Sequence, residues 1–234
     1  MAADLAELKR QAAERAVEAV QSGMVVGLGT GSTAVFAVRR IGELLAQGRL
    51  QRIVGIPTAE VTAHEAEQAG VPLGTLDDHP TVDLTIDGAD EIDPQLNLIK
   101  GLGGALLREK IVAAASRRLI IVADETKRVE RLGTRAPVPV EVIPFARRPV
   151  TDYLASLGAR PVERSAGNSS NASKPFITDE GNIILDCYFP GPFDPHEMSR
   201  LIRAQPGVVE HGLFLGMATE AIVAGVRGIV TLEH

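Results

Sequence analysis

The chain has 234 residues, 45% of them hydrophobic and 23% charged, with a formal net charge of −6. That length can bury a substantial core, and no uncharged apolar run is long enough for a transmembrane helix. The acidic balance, the lack of any Lys/Arg cluster and an aromatic content of 3% without Trp argue against nucleic-acid binding by phosphate neutralisation or base stacking. Residues 1–20 carry Asp4, Glu7, Lys9, Arg10, Glu14, Arg15 and Glu18 at helical spacing, so no signal peptide is expected and the cytoplasm is the expected location. The single cysteine, Cys187, has no internal disulfide partner and lies in a β-like run, which favours a buried structural thiol.

In chain order, Leu5, Leu8, Ala12, Ala16, Val17 and Val20 recur at a helical period over residues 4–21, and Ser22-Gly23 closes that helix. Residues 24–28 read as a short buried strand running into Gly29-Thr30-Gly31-Ser32-Thr33, with a helix from about 32 to 45. Strands follow at 53–56, 82–86 and 119–122, with helical stretches at 60–68 and 105–116 between them. Strands alternating with helices predict an α/β fold with a mostly parallel, Rossmann-like sheet. After Arg131 the texture changes. Pro137, Pro139 and Pro144 punctuate the chain, a helix is expected at 148–157, a hairpin at 159–164 and 182–189, and a helix at 195–204. The expected division is a catalytic domain of residues 1–132 plus 213–234 and a small α+β domain of 133–212. The tail Leu232-Glu233-His234 reads as the start of an expression-tag scar and is given no role. The polar loop at 165–173 contains Asn168-Ser169-Ser170 and Asn171-Ala172-Ser173, glycosylation patterns without use in a chain lacking a signal peptide.

Three motifs carry chemistry. Gly27-Leu28-Gly29-Thr30-Gly31-Ser32-Thr33 is a glycine-rich strand-to-helix turn, where backbone N–H groups and the helix dipole can hold an anion. The bland alternative is a tight turn with Ser32 as N-cap. Ser32 stands where a dinucleotide fingerprint needs its third glycine, and no Gly-Lys-Ser/Thr follows, so the phosphate of a small ester fits best. Asp87-Gly88-Ala89-Asp90 stands at the carboxyl end of a strand, where open α/β sheets bind ligands. Two carboxylates so close resist being ionised together, which makes proton transfer feasible at neutral pH. The alternatives are a turn of solvated acids, complicated by Glu91 and Asp93, or a Mg²⁺ site. Lys100-Gly101-Leu102-Gly103-Gly104 precedes a helix carrying Glu109; the lysine can stabilise developing negative charge and the glutamate can face the same crevice. Taken singly, Lys100 and Glu109 read as a strand-end cation and a surface partner of Arg108 or Lys110.

These residues make the chain resemble the ribose-5-phosphate isomerase family, type A. The likeness rests on Gly27 to Ala34, on Asp87-Gly88-Ala89-Asp90-Glu91-Ile92, on Lys100 to Ala105, and on Leu107-Arg108-Glu109-Lys110. It continues in Val138-Pro139-Val140-Glu141-Val142-Ile143-Pro144, Asp179-Glu180-Gly181-Asn182 and Pro206-Gly207-Val208-Val209. The resemblance implies interconversion of ribose 5-phosphate and ribulose 5-phosphate with no metal or organic cofactor. It implies Glu109 as the carbon base, Asp87 with Asp90 as acid/base groups for the sugar oxygens, and Lys100 as the cation at the enediolate oxygen. It further implies Thr30, Gly31, Ser32 and Thr33 as the phosphate turn, Gly101, Gly103 and Gly104 at the substrate, and Lys9 and Lys127 as nearby cations. A ferredoxin-like second domain and a homodimer or homotetramer are implied as well. The 167–174 loop looks longer and more polar than the family leads one to expect. Weighed against this are an acyl-CoA transferase-like enzyme using Glu109 as nucleophile, a non-catalytic sugar-phosphate sensor, and a Mg²⁺-dependent phosphatase. The last expects Asp-x-Asp where this chain has Asp-x-x-Asp.

Overall fold

The computed structural model describes residues 5–167 and 174–233. Its elements, in order, are α1 (Leu5–Val17), β1 (Val25–Leu28), α2 (Ala34–Ala46), β2 (Val54–Pro57), α3 (Glu60–Gln68), β3 (Leu84–Asp87), β4 (Glu91–Ile92), β5 (Leu98–Ile99), α4 (Leu106–Ala114), β6 (Leu119–Asp124), β7 (Val138–Val142), α5 (Arg147–Ser156), β8 (Arg160–Glu163), β9 (Ile183–Tyr188), α6 (Pro195–Ala204), β10 (Val208–His211), β11 (Leu213–Phe214), β12 (Glu220–Gly225) and β13 (Gly228–Glu233). The patterns predicted at 168–173, both glycosylation motifs included, lie outside the described residues.

The chain divides into two compact units. The first comprises Met1–Ala89, Arg108–Arg128 and Gly216–His234; the second comprises Asp90–Leu107 and Val129–Leu215. The main difference from the expected boundaries is the segment 90–107, which groups with the second unit. The reason is hydrogen bonding: β4 pairs with β5, β5 pairs with β11, and the Glu91 carboxylate accepts from Gly133, Arg135 and Ala136 N–H.

The first unit is a six-stranded sheet in the order β13-β12-β6-β3-β1-β2, parallel except for the β12–β13 pair. Parallel strands are covered on both faces, and burial here is continuous accordingly, with every residue of β3 and β6 buried. Val26, Leu28, Leu84, Ile86, Ile120, Val122, Ile222 and Ala224 share one core with Leu8, Ala12 and Ala16 of α1 and Ala37, Val38 and Ile41 of α2. The alanines give α1 a smooth face that can lie close to the sheet. On the other face, Ile56 and Val82 pack with Val112 of α4. Leu232 and Glu233, read from sequence as a tag scar, pair with Ala221 and Glu220 as the last rungs of the β12–β13 hairpin. Both are thus placed by the sheet. From β1 the chain steps outward to β2, then returns to β3 and continues through β6 to β12. The direction therefore reverses between β1 and β3, and the carboxyl ends there form the crevice where such sheets take their ligands.

The second unit runs β7-α5-β8-β9-α6-β10, with the antiparallel sheet order β10-β7-β9-β8. This is a ferredoxin-like βαββαβ arrangement. Val138, Val140 and Val142 of β7 meet Val150 and Leu154 of α5 and Met198 and Ile202 of α6 in one apolar core with Cys187. Burial pushes the Cys187 thiol well above its ordinary range, so it stays protonated. Asp194 caps α6 by accepting from His196 and Glu197 N–H, with Pro195 at the first helical position. Glu141 lies in the middle of β7 at 1% exposure. Its Oε1 accepts from Thr178 Oγ1 and Asn182 Nδ2, each at 2.9 Å, and its Oε2 has no hydrogen-bond partner among the described residues. Burial is the main cause that raises this carboxyl above the usual 4.5, the two hydrogen bonds opposing it.

Candidate active site

The turn after β1 is built from hydroxyls and backbone. Thr30 Oγ1 lies 2.8 Å from Thr58 Oγ1 and 2.7 Å from Thr62 Oγ1, while Thr58 donates to Leu28 O and Thr62 to Gly29 O. Thr58 and Thr62 escaped the sequence reading, because single threonines after a strand and inside a helix carry no spacing signal. Helix α2 starts at Ala34, later than expected, and its cap residue Thr33 makes no side-chain cap bond. Ser32 is thus not an N-cap. Its hydroxyl instead accepts from Lys9 Nζ at 3.0 Å, so a cation from α1 stands at the exposed lip of the turn. Gly31 and Ser32 are exposed and Thr33 is buried.

Asp87 ends β3 at 1% exposure. Its Oδ1 accepts from Thr30 N at 3.1 Å and from Gly88 N at 2.7 Å, which ties the carboxylate to the turn. Gly29 permits this approach: a Cβ there would sit 2.3 Å from Asp87 Oδ1 and 2.5 Å from its Cα. Alternation along β3 puts Asp87 on the same side as Thr85, whose hydroxyl bonds Ser116 Oγ just beyond α4. Glu109, 4% exposed, is one helical turn before Val112, the α4 residue whose side chain reaches Gly27 and Thr85's neighbourhood. The first unit therefore brings Asp87 and Glu109 to one side of its sheet, near the same carboxyl edge. Lys127 is half-buried in the single turn after β6, a turn fixed by Asp124 Oδ1 accepting from Thr126 N at 3.0 Å.

The second unit holds Asp90 and the Lys100 turn. Lys100 is 2% exposed, donates its N–H to Gly212 O, and places Nζ 5.4 Å from the centre of the Phe214 ring. Gly101 has φ +107, a conformation that glycine adopts without strain. It orients the next peptide so that Leu102 N donates to Asp90 Oδ2 at 2.9 Å. Gly104 N donates back to Gly101 O, closing the turn, and Gly103 is exposed.

The acids that complicated the sequence motif are spent on backbone. Glu91, fully buried, accepts from three N–H groups, and Asp93 accepts from Gln95 N, Asn97 N and Asn97 Nδ2. Among the described residues no group of three or more His, Cys, Asp or Glu is placed to hold a metal ion. No helix of the described residues is long and apolar enough to cross a membrane.

A doubly wound sheet with an anion turn and a buried carboxylate at its switch point defines an α/β enzyme that handles a small anionic ligand. The family model of ribose 5-phosphate isomerase A (phosphoriboisomerase A) matches residues 54–228. The chain is 57% identical over 225 residues to the ribose-5-phosphate isomerase A of Roseiflexus castenholzii, covering 96% of this chain and 94% of that one. A solved D-ribose-5-phosphate isomerase in complex with phospho-erythronic acid superposes with a TM-score of 0.94 at 39% identity, covering 99% of this chain and all of the other. The ribose 5-phosphate isomerase A of Methanocaldococcus jannaschii does so with a TM-score of 0.92, at the same identity and coverage. The chain belongs to the ribose 5-phosphate isomerase A family.

Proposed function

We propose that the chain interconverts D-ribose 5-phosphate and D-ribulose 5-phosphate through an enediolate, with Glu109 as the base at carbon. In the aldose-to-ketose direction Glu109 takes the proton from C2, and the C–H electron pair forms the C1=C2 bond as O1 gains charge. Lys100 meets that charge with its ammonium group. Asp87 and Asp90 move protons among the sugar oxygens, both in ring opening and in passing the O2 proton to the O1 oxyanion as C2=O forms. The proton held by Glu109 then returns at C1. Thr30, Gly31, Ser32 and Thr33 hold the phosphate with Lys9 and Lys127 nearby, and Gly101, Gly103 and Gly104 lie along the substrate. No metal or organic cofactor enters these steps.

The observation that carries this reading is the pair of hydrogen bonds in the first unit made by one turn, Lys9 Nζ to Ser32 Oγ and Thr30 N–H to the buried Asp87 carboxylate. An anion grip and an acid/base group are thereby fixed by one loop. A phosphorylated four-carbon sugar acid, the ligand named for one relative, carries a phosphate at one end and a delocalised oxyanion at the other, as an enediolate phosphate does. A homodimer or homotetramer and a cytoplasmic location complete the proposal. The lone, buried Cys187 suits a reducing compartment.

The direct test is conversion of ribose 5-phosphate with arabinose 5-phosphate as control, in wild type and Glu109→Gln. The variant is expected to fold normally and to lose about 10²–10⁴ in kcat. Near-wild-type turnover would remove Glu109 from the base role, and equal use of both sugars would remove the substrate assignment.

A further inference from the structure

Within the second unit, one ion pair reaches the Lys100 turn from the β8–β9 hairpin. Arg164, just beyond β8, grips Asp186 of β9 with two donors, Nε to Oδ2 at 3.0 Å and Nη2 to Oδ1 at 2.5 Å. Both side chains are largely buried, at 12% and 14% exposure. The remaining donor, Nη1, points at the turn and reaches Gly101 O at 2.8 Å and Leu102 O at 3.1 Å. The Gly101–Leu102 peptide is consequently held from both ends: its carbonyl by Arg164, its N–H by the Asp90 carboxylate. The Phe176 ring lies 5.9 Å from the guanidinium and fills the space that a Cβ on Gly104 would need. A buried guanidinium spent on two backbone carbonyls is a costly way to hold an ordinary surface loop. The planar fork, with donors on two sides, suits the fixing of one peptide orientation.

We propose that Arg164, anchored by Asp186, is a positioning residue for the isomerisation: it fixes the Gly101–Leu102 peptide and so sets where Lys100 and Asp90 present their charges. The proposal rests on the assignment of Lys100 and Asp90 to the reaction. Arg164 itself touches no reacting atom. Its contribution is to keep the turn in place when charge develops, where a displacement of about 1 Å can cost about 10²-fold in rate.

The experiment compares Arg164→Met, Asp186→Asn, Lys100→Ala and the Arg164→Met/Lys100→Ala double variant in steady-state kinetics, with melting temperature and circular dichroism measured on each. Arg164→Met is expected to lower kcat by about 10–10²-fold with KM within about threefold, and to stay folded. Asp186→Asn keeps the guanidinium but loses its anionic anchor, so it should show a smaller loss in kcat alone. The double variant should lose no more than Lys100→Ala does, because both changes remove one shared contribution. Unchanged kcat in folded Arg164→Met would overturn the proposal, as would losses that multiply in the double variant, or a loss fully recovered on cooling below a lowered melting temperature. Should Arg164→Met fail to fold, Asp186→Asn carries the test with the same outcomes. Wild-type kcat in Lys100→Ala would instead overturn the Lys100 assignment, and the proposal with it.

Discussion

The two glycine turns solve one problem with different materials. The turn after β1 is held by neutral hydroxyls and one carboxylate: Thr58 and Thr62 brace Thr30, and Asp87 accepts the Thr30 N–H. The turn after Lys100 is held by charges, with Asp90 on the N–H side of a peptide and the Arg164–Asp186 pair on the carbonyl side. Hydroxyls add no charge of their own to offset the Lys9 ammonium at the lip, which suits the dianion proposed to bind there. Ionic clamps give stiffness and directional fixing instead, which suits the role proposed for Lys100, that of meeting charge as it develops. The comparison therefore predicts that damage to the first turn appears in substrate binding and damage to the second in turnover.

The strongest way to break that contrast is Lys100→Ala. It should cost about 10²–10³ in kcat with little change in KM, and steady-state kinetics showing a KM effect alone would place Lys100 in ground-state binding. Next comes Gly29→Ala, which forces a methyl against Asp87 backbone and carboxylate. It should destabilise the first unit by about 1–3 kcal/mol, seen as a lower melting temperature, and raise KM as the turn shifts. Lys9→Ala should raise KM about threefold to tenfold at unchanged kcat, with the effect shrinking in added salt, since the Lys9–Ser32 contact is exposed. The smallest effect, and a control outside both turns, is Glu141→Gln. Because burial raises the folded carboxyl above 4.5, the folded state keeps a proton that the unfolded chain has released. Stability from this group is full below 4.5 and falls as pH rises through the folded value. Denaturant titrations from pH 4.5 to 8 should show a downward slope in wild type that flattens in the variant; an identical slope in both would mean that Glu141 is not its source.

What the sequence made legible is what short-range patterning encodes. The helix expected at 105–116 is α4, and the hairpin at 159–164 and 182–189 is the β8–β9 pair, because burial imposes its period on nearby residues. Strand β7 was not legible. It carries Pro139 in mid-strand and follows Pro137, a pattern that argues against a central strand, yet Pro139 sits between β10 and β9 and uses its carbonyl to accept from Gly212 N. Glu91 and Asp93 complicate the motif because they stand beside Asp87 and Asp90; Asp93 is spent on the local turn 93–97, and Glu91 on N–H groups 42 to 45 residues away that no local pattern shows. Arg164 and Asp186 lie 22 residues apart and about sixty or more from the turn that Arg164 supports, beyond any motif. The turn after β1 and Asp87 were readable because they stand at strand ends. The supports were not, since they are ordinary residues given purpose by distance.

The place of β12 in the first sheet has a consequence for how the chain is made. Strands β2, β1, β3 and β6 leave the ribosome early, but the neighbour of β6 on its far side is β12, which follows the whole ferredoxin-like unit. All six residues of β6 are buried in the finished fold, so during synthesis this strand waits as a bare apolar edge for roughly a hundred residues. The nascent protein thus passes through a stage in which this apolar edge is open. The short β12–β13 hairpin, arriving last, is what seals it.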